Sequence, residues 1–275
     1  MILTLIQSHP EFGNVEANLD AADAAIAAAG ETDLVVLPEL FATGYAFESL
    51  EQARELAEPV PGGRTVRRLE RVARETGATI VAGVAESVGD HLYNSAVVVT
   101  PNGWLGNYRK THLFSEETLW FAPGDSGFRV WTVTDRRRRS YRLGVMVCFD
   151  WMFPESARVL ALAGADIIAH PSNLVLPHCP DSMPVRALEN GVFTATANRV
   201  GTEHNGREAL TYIGRSRICS PRGAVLAEAS ATATDVLTVE IDPREARDKA
   251  MNPYNDRLGS RRPEFYGPAP PVGRR

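Results

Sequence analysis

Leu143-Gly144-Val145-Met146-Val147-Cys148-Phe149-Asp150-Trp151 is an apolar run that ends on a cysteine, and Pro154-Glu155-Ser156 follows it closely. The run reads as a buried strand, and Pro154 suits the first turn of a helix. Cys148 therefore stands at a strand-to-helix corner, its sulfur at the carboxyl end of the strand. Most free cysteines are small buried hydrophobes, so the residue alone decides little. Its surroundings decide more.

Outward from this corner, strand and helix signals alternate. Strands are expected over 2–6, 33–37, 79–84, 95–99, 143–147, 166–169, 192–197, 216–219, 224–227 and 236–241. Asn14 is placed to cap an Ala-rich helix closed by Gly30, and a second helix over about 65–76 ends at Gly77. Further helices are expected at about 155–163, 182–190 and 243–250. Asn102-Gly103 and Arg222-Gly223 read as hairpin turns, so the sheets are mixed. Arg136-Arg137-Arg138-Arg139 lies between two strand signals and reads as a solvated turn. The pattern is that of a layered α/β domain over residues 1–250, its two halves similarly built. A tail over 251–275 holds Pro253, Pro263, Pro268, Pro270 and Pro271; it is expected to be mobile in part or laid on a partner.

The chain has 275 residues, 23% of them charged, with a formal net charge of -5. That balance argues against nucleic acid or an acidic membrane as partner. The opening Met1 to Gln7 lacks the features of a signal peptide, and no apolar run is long enough to span a bilayer. Three cysteines do not make a disulfide framework, so a reducing cytoplasm is expected. His178-Cys179 in a Pro-rich stretch lacks further ligands at zinc spacing. It reads as a loop shaping a pocket mouth, and no metal or cofactor is expected. His204 reads as part of an exposed loop.

Glu39 follows the strand signal at 33–37, Lys110 closes the segment Leu105 to Arg109, and Cys148 closes the strand at 143–147. In α/β sheets ligands gather at the carboxyl ends of strands. Three such ends bearing a carboxylate, an ammonium and a thiol suit acyl transfer through a covalent intermediate. A thiol needs a base to become a nucleophile. Glu39 can take its proton and pass it to a leaving amine. Lys110 and the backbone N–H of Phe149 are candidates to stabilise the oxyanion. No histidine is required, and His112 is expected to be structural.

Leu37-Pro38-Glu39-Leu40, Tyr108-Arg109-Lys110-Thr111-His112-Leu113-Phe114 and Gly144-Val145-Met146-Val147-Cys148-Phe149-Asp150 closely resemble the motifs of the carbon–nitrogen hydrolase (nitrilase-like) superfamily. So do Phe153-Pro154-Glu155, His170-Pro171-Ser172-Asn173-Leu174, Arg186-Ala187-Leu188-Glu189-Asn190, Thr196-Ala197-Asn198-Arg199 and Gly214-Arg215-Ser216. The resemblance covers about residues 1–250. It implies a four-layer α-β-β-α sandwich, a Glu39-Lys110-Cys148 catalytic set and a homodimer or larger homo-oligomer. A second site glutamate is also implied, and Glu117 is favoured over Glu116 because it stands four residues before Phe121. Tyr45, Phe149, Trp151 and Asn173 are the candidate substrate-binding residues. Phe149-Asp150 after the cysteine, where many nitrilases carry Trp-Glu, resembles the amidase branches and a few thermophile nitrilases. A small linear amide is the preferred substrate, with a nitrile or a carbamoyl compound as alternatives.

Overall fold

In the computed structural model, which describes residues 1–204, 206 and 209–267, the β-branched runs form two six-stranded mixed sheets. The first contains β1 (Ile2–Gln7), β2 (Leu34–Val36), β3 (Thr79–Val88), β4 (His91–Thr100) and β5 (Gly103–Arg109). The second contains β6 (Val130–Thr134), β7 (Ser140–Val145), β8 (Ile167–Pro171) and β9 (Phe193–Ala197). A separate hairpin follows, β10 (Val200–His204) with β11 (Ala209–Ile213). The chain then adds β12 (Arg217–Cys219) and β13 (Val225–Glu228) to the second sheet and β14 (Asp235–Glu240) to the first. The orders are β14-β1-β2-β3-β4-β5 and β13-β12-β9-β8-β7-β6.

In the first sheet β1, β2 and β3 run parallel, with β4 and β5 antiparallel beyond them. In the second β7, β8 and β9 run parallel, with β12 and β13 antiparallel beyond them. The halves are thus similarly built. Period-2 alternation sorts the side chains between layers. Leu3, Leu5, Leu34 and Val36 pack with Val145, Ile167, Ala169 and Phe193 between the sheets. Ile6, Val35, Ile80 and Val97 face outward against α1 (Val15–Ala28) and, after the short α2 (Leu50–Leu56), α3 (Arg64–Thr76). After the single turn α4 (Glu117–Trp120), α5 (Pro154–Leu162) and α6 (His178–Asn190) cover the other outer face through Leu160, Met183 and Ala187. These are the four layers of an α-β-β-α sandwich.

Several expectations need correction. The segment 243–250 holds a five-residue 3₁₀ turn, Pro243–Arg247, rather than a full helix. The stretch at 176–180 is no mouth loop beyond Pro177: α6 begins at His178 and buries Cys179 in the core. Pro180 sits in the first turn, where a missing N–H costs nothing. Pro184 leaves the Pro180 carbonyl without its helical donor, and the Arg217 guanidinium donates to it instead. His204 is exposed but belongs to β10, not a loop. Asn205, Pro268, Pro270 and Pro271 lie outside the described residues. The described part of the tail is anchored by Arg257, which donates to the Pro221 carbonyl, while Tyr254, Phe265 and Tyr266 are exposed. Among the described residues no helix is long and apolar enough to cross a membrane.

Candidate active site

Glu39, Lys110 and Cys148 meet between the sheets at the carboxyl ends of β2, β5 and β7, and all three are buried. Glu39 follows the Pro38 stop, where the chain passes so close to β3 that only glycine fits opposite: a Cβ on Gly83 would stand 2.4 Å from the Glu39 Cα. Glu39 Oε1 accepts from Asn94 Nδ2 and from Lys110 Nζ, each at 2.7 Å. Its buried Oε2 accepts from no described residue.

Lys110 is set by backbone bonds on both sides. Its N–H donates to the Asn94 carbonyl, and its own carbonyl accepts from Gly124. Its Nζ donates to Glu39 and, at 2.7 Å, to Glu117 Oε1. Burial opposes the lysine's charge, but Glu117 and Glu39 outweigh it and hold the ammonium above its ordinary range. Burial raises the Glu117 carboxyl, with Lys110 opposing. Glu117 Oε2 accepts from the Phe114 N–H, which fixes the turn that carries it.

Cys148 turns the corner with φ +40, a left-handed conformation that a side chain tolerates only when its surroundings impose it. Asp150 is one constraint. Its Oδ2 accepts from the Val147 N–H and the Tyr108 hydroxyl, both at 2.8 Å. Its Oδ1 accepts from the His112 N–H at 3.2 Å and from Nδ1 at 2.7 Å. One carboxylate so ties the cysteine corner to residues on both sides of Lys110. His170 is the other constraint. Burial holds its pKa down to about 4, so it is neutral, and Nε2–H donates to the Cys148 carbonyl at 2.9 Å. The thiol is pushed well above its ordinary range by burial and then by Glu39, with Lys110 opposing, and the backbone N–H of Asn173 points at it. The proton therefore rests on sulfur until something takes it.

A cavity of about 50 Å³ adjoins this cluster, walled by Tyr45, Phe47, Phe114, Trp120, Val175 and Leu210, with Glu117 and Asn173 at its polar side. Tyr45 and Asn173 both line this cavity. Tyr45 and Glu117 share this wall, and burial with the Glu117 charge beside it keeps the Tyr45 hydroxyl protonated, while Asn173 Nδ2 donates to the Glu39 carbonyl at 2.9 Å. Phe149 and Trp151 are not among the lining residues. Phe149 packs on Phe114 and Phe153 with ring centroids at 5.1 and 5.4 Å, and Trp151 is buried in the core. The backbone N–H of Asn173 faces the sulfur, which leaves the expected role of the Phe149 N–H, at the oxyanion, untouched. His112 stacks on Phe153 at 3.7 Å and serves the Asp150 bracket. Sequence reading passed over Glu203, whose carboxylate holds the Tyr45 turn.

The carbon–nitrogen hydrolase family model matches residues 2–250, and the chain belongs to that family. A nitrilase of Pyrococcus abyssi is 51% identical over 263 residues, covering 95% of this chain and 97% of its own. An (R)-stereoselective amidase of Pseudomonas sp. is 34% identical over 262 residues, covering 94% and 91%. The amidase of Nesterenkonia sp. AN1, solved as a glutamate-to-glutamine variant with acrylamide added at its active-site cysteine, superposes with a TM-score of 0.78. That match is 28% identical and covers 97% of this chain and 98% of the other. The protein is a hydrolase of carbon–nitrogen bonds other than peptide bonds.

Proposed function

We propose that the chain hydrolyses a small linear amide to a carboxylate and ammonia through a thioester on Cys148. The observation that carries this reading is the buried ammonium of Lys110, held between two carboxylates beside a protonated thiol. As sulfur attacks the amide carbon, Glu39 takes its proton on the open Oε2. Lys110 and the backbone N–H of Phe149 stabilise the tetrahedral oxyanion, and one such donor is worth about 3–4 kcal/mol. Glu39 returns the proton to the amine as the C–N bond breaks, and ammonia leaves. It then deprotonates a water that attacks the thioester, and the departing thiolate regains a proton from Glu39. One water is consumed per amide.

At roughly 10–15 Å³ per water, the cavity takes about four waters, equivalent to a ligand of about four or five non-hydrogen atoms. Cys148→Ala is expected to abolish ammonia release. Glu39→Gln, which keeps an acceptor for Lys110, is expected to lower kcat on the order of 10²–10⁴-fold. Full activity in either variant refutes the scheme.

A nitrile is the second reading, favoured by the name of the Pyrococcus abyssi relative. Cys148 then adds to the C≡N carbon and two waters are consumed per acid formed. A panel of short amides, carbamoyl compounds and dinitriles, read by ammonia release, separates the readings. We further propose that residues 1–250 form one catalytic unit of a cytoplasmic homo-oligomer. Its three cysteines are free, and Val159, Leu162, Val185 and Leu188 leave an apolar face on α5 and α6. A monomer by sedimentation would overturn the assembly.

A further inference from the structure

Glu203, near the end of β10, is buried and its carboxylate makes four hydrogen bonds. Oε1 accepts from Nη1 of Arg199, which is itself fully buried. Oε2 accepts from the backbone N–H groups of Tyr45 and Ala46, each at 3.0 Å, and from the Tyr212 hydroxyl at 2.9 Å. Arg199 also donates to the Pro10 carbonyl at 3.0 Å, and its guanidinium lies 4.1 Å over the Tyr212 ring. The turn at 44–46 is moulded on this group. Gly44 has φ +80, and a Cβ there would stand 2.7 Å from Glu203 Oε1 and 2.8 Å from the Phe12 ring.

A buried ion pair is a costly way to hold a turn, because both charges lose their water. The turn it holds is the wall of the cavity. Tyr45 reaches from it to Glu117, which in turn accepts from Lys110. Three links thus run from a carboxylate outside the cavity to the ammonium beside Cys148: Glu203 to the Tyr45 backbone, Tyr45 to Glu117, and Glu117 to Lys110. We propose that Glu203, neutralised by Arg199, is a positioning residue that sets Tyr45 and, through it, the Glu117–Lys110 pair. Only the role of Glu117 rests on the amide-hydrolase reading; the geometry does not.

The test is a double-variant cycle on the full chain. Tyr45→Phe removes the middle link, from Tyr45 to Glu117, Glu203→Gln disturbs the first, and the third protein carries both. Misplaced catalytic groups cost on the order of 10–100-fold, so Glu203→Gln is expected to lower kcat by that factor with KM changed less than about threefold. The double variant is expected to be no worse than the poorer single one, because both changes act on one path. Mass-detected alkylation of Cys148 by iodoacetamide counts intact sites and normalises kcat. Tyr212→Phe removes one bond from Glu203 and is the milder arm if Glu203→Gln folds poorly. A normalised kcat that is unchanged in Glu203→Gln and Tyr212→Phe overturns the proposal, as do fully multiplicative losses in the double variant. If no amide is turned over at all, the function has failed. The same cycle is then read on the alkylation rate, where the same non-multiplicative loss is expected and its absence overturns the proposal.

Discussion

Asp150 tests how much of the cysteine corner depends on a single side chain. Asp150→Ala removes the acceptor of four donors at once. The Tyr108 hydroxyl keeps Thr111 Oγ1 at 2.9 Å, and His112 Nδ1 lies on a ring partly open to water. The N–H groups of Val147 and His112 have no such alternative. An orphaned buried donor costs about 1–3 kcal/mol, so the two together cost about 4 kcal/mol. Asp150→Asn keeps one carbonyl oxygen for Val147 and Tyr108. Its amide then faces His112, whose ring nitrogen can change tautomer and accept. One N–H is left unpaired, and about 1–2 kcal/mol is expected. Urea unfolding followed by tryptophan fluorescence measures both values. A loss below about 1 kcal/mol for the alanine variant, or equal losses for the two, would refute the bracket.

His170 predicts a pH dependence. Its folded pKa of about 4 lies below the unfolded value of 6.5, so the unfolded chain binds the extra proton between them. Stability should be constant above about pH 6.5 and fall by roughly 3 kcal/mol as the pH drops to about 4. Urea midpoints of His170→Gln should lose that slope, and parallel curves would contradict it. Gly83→Ala should drive a Cβ into the Glu39 backbone and lower kcat on the order of 10–100-fold, with stability losses visible in thermal melts. An active Gly83→Ala variant would mean that Glu39 is not set by β3. Leu210→Ala should enlarge the cavity and raise kcat/KM for a six-carbon amide over acetamide on the order of tenfold. An unchanged ratio would remove Leu210 from the acyl wall.

The strands were legible because buried parallel strands are written as apolar, often β-branched runs, as in Leu34–Val36 and the Ile167-Ile168-Ala169 start of β8. Their carboxyl ends gave Glu39, Lys110 and Cys148 with the motifs. Helix α2 was missed although Ser49 and Gln52 bear a capping-box spacing; the Ser49 hydroxyl does accept from the Gln52 N–H at 3.1 Å. The start of α6 was hidden by its prolines, because the guanidinium that satisfies Pro180 comes from β12. Glu203 was hidden for a related reason. A glutamate in a polar stretch reads as solvated, and its burial follows from Arg199 and from a turn more than 150 residues earlier in the chain. Trp151, an aromatic just after the nucleophile, packs in the core, a placement that its neighbours in sequence do not announce.

The closing strand carries a consequence for how this protein is made. β14 pairs with β1 from Ile2 against Glu240 to Gln7 against Asp235, although the whole second sheet is synthesised between them. Until residue 240 has left the ribosome, β1 has one unpaired edge, an open template for other chains. Contacts this distant in sequence form slowly. Glu39 and Lys110 come from the first sheet and Cys148 from the second, so the cluster forms only when the two sheets stack. A chain still lacking β14 is therefore expected to aggregate through that edge, and a helper that shields it during synthesis should raise the yield of active enzyme.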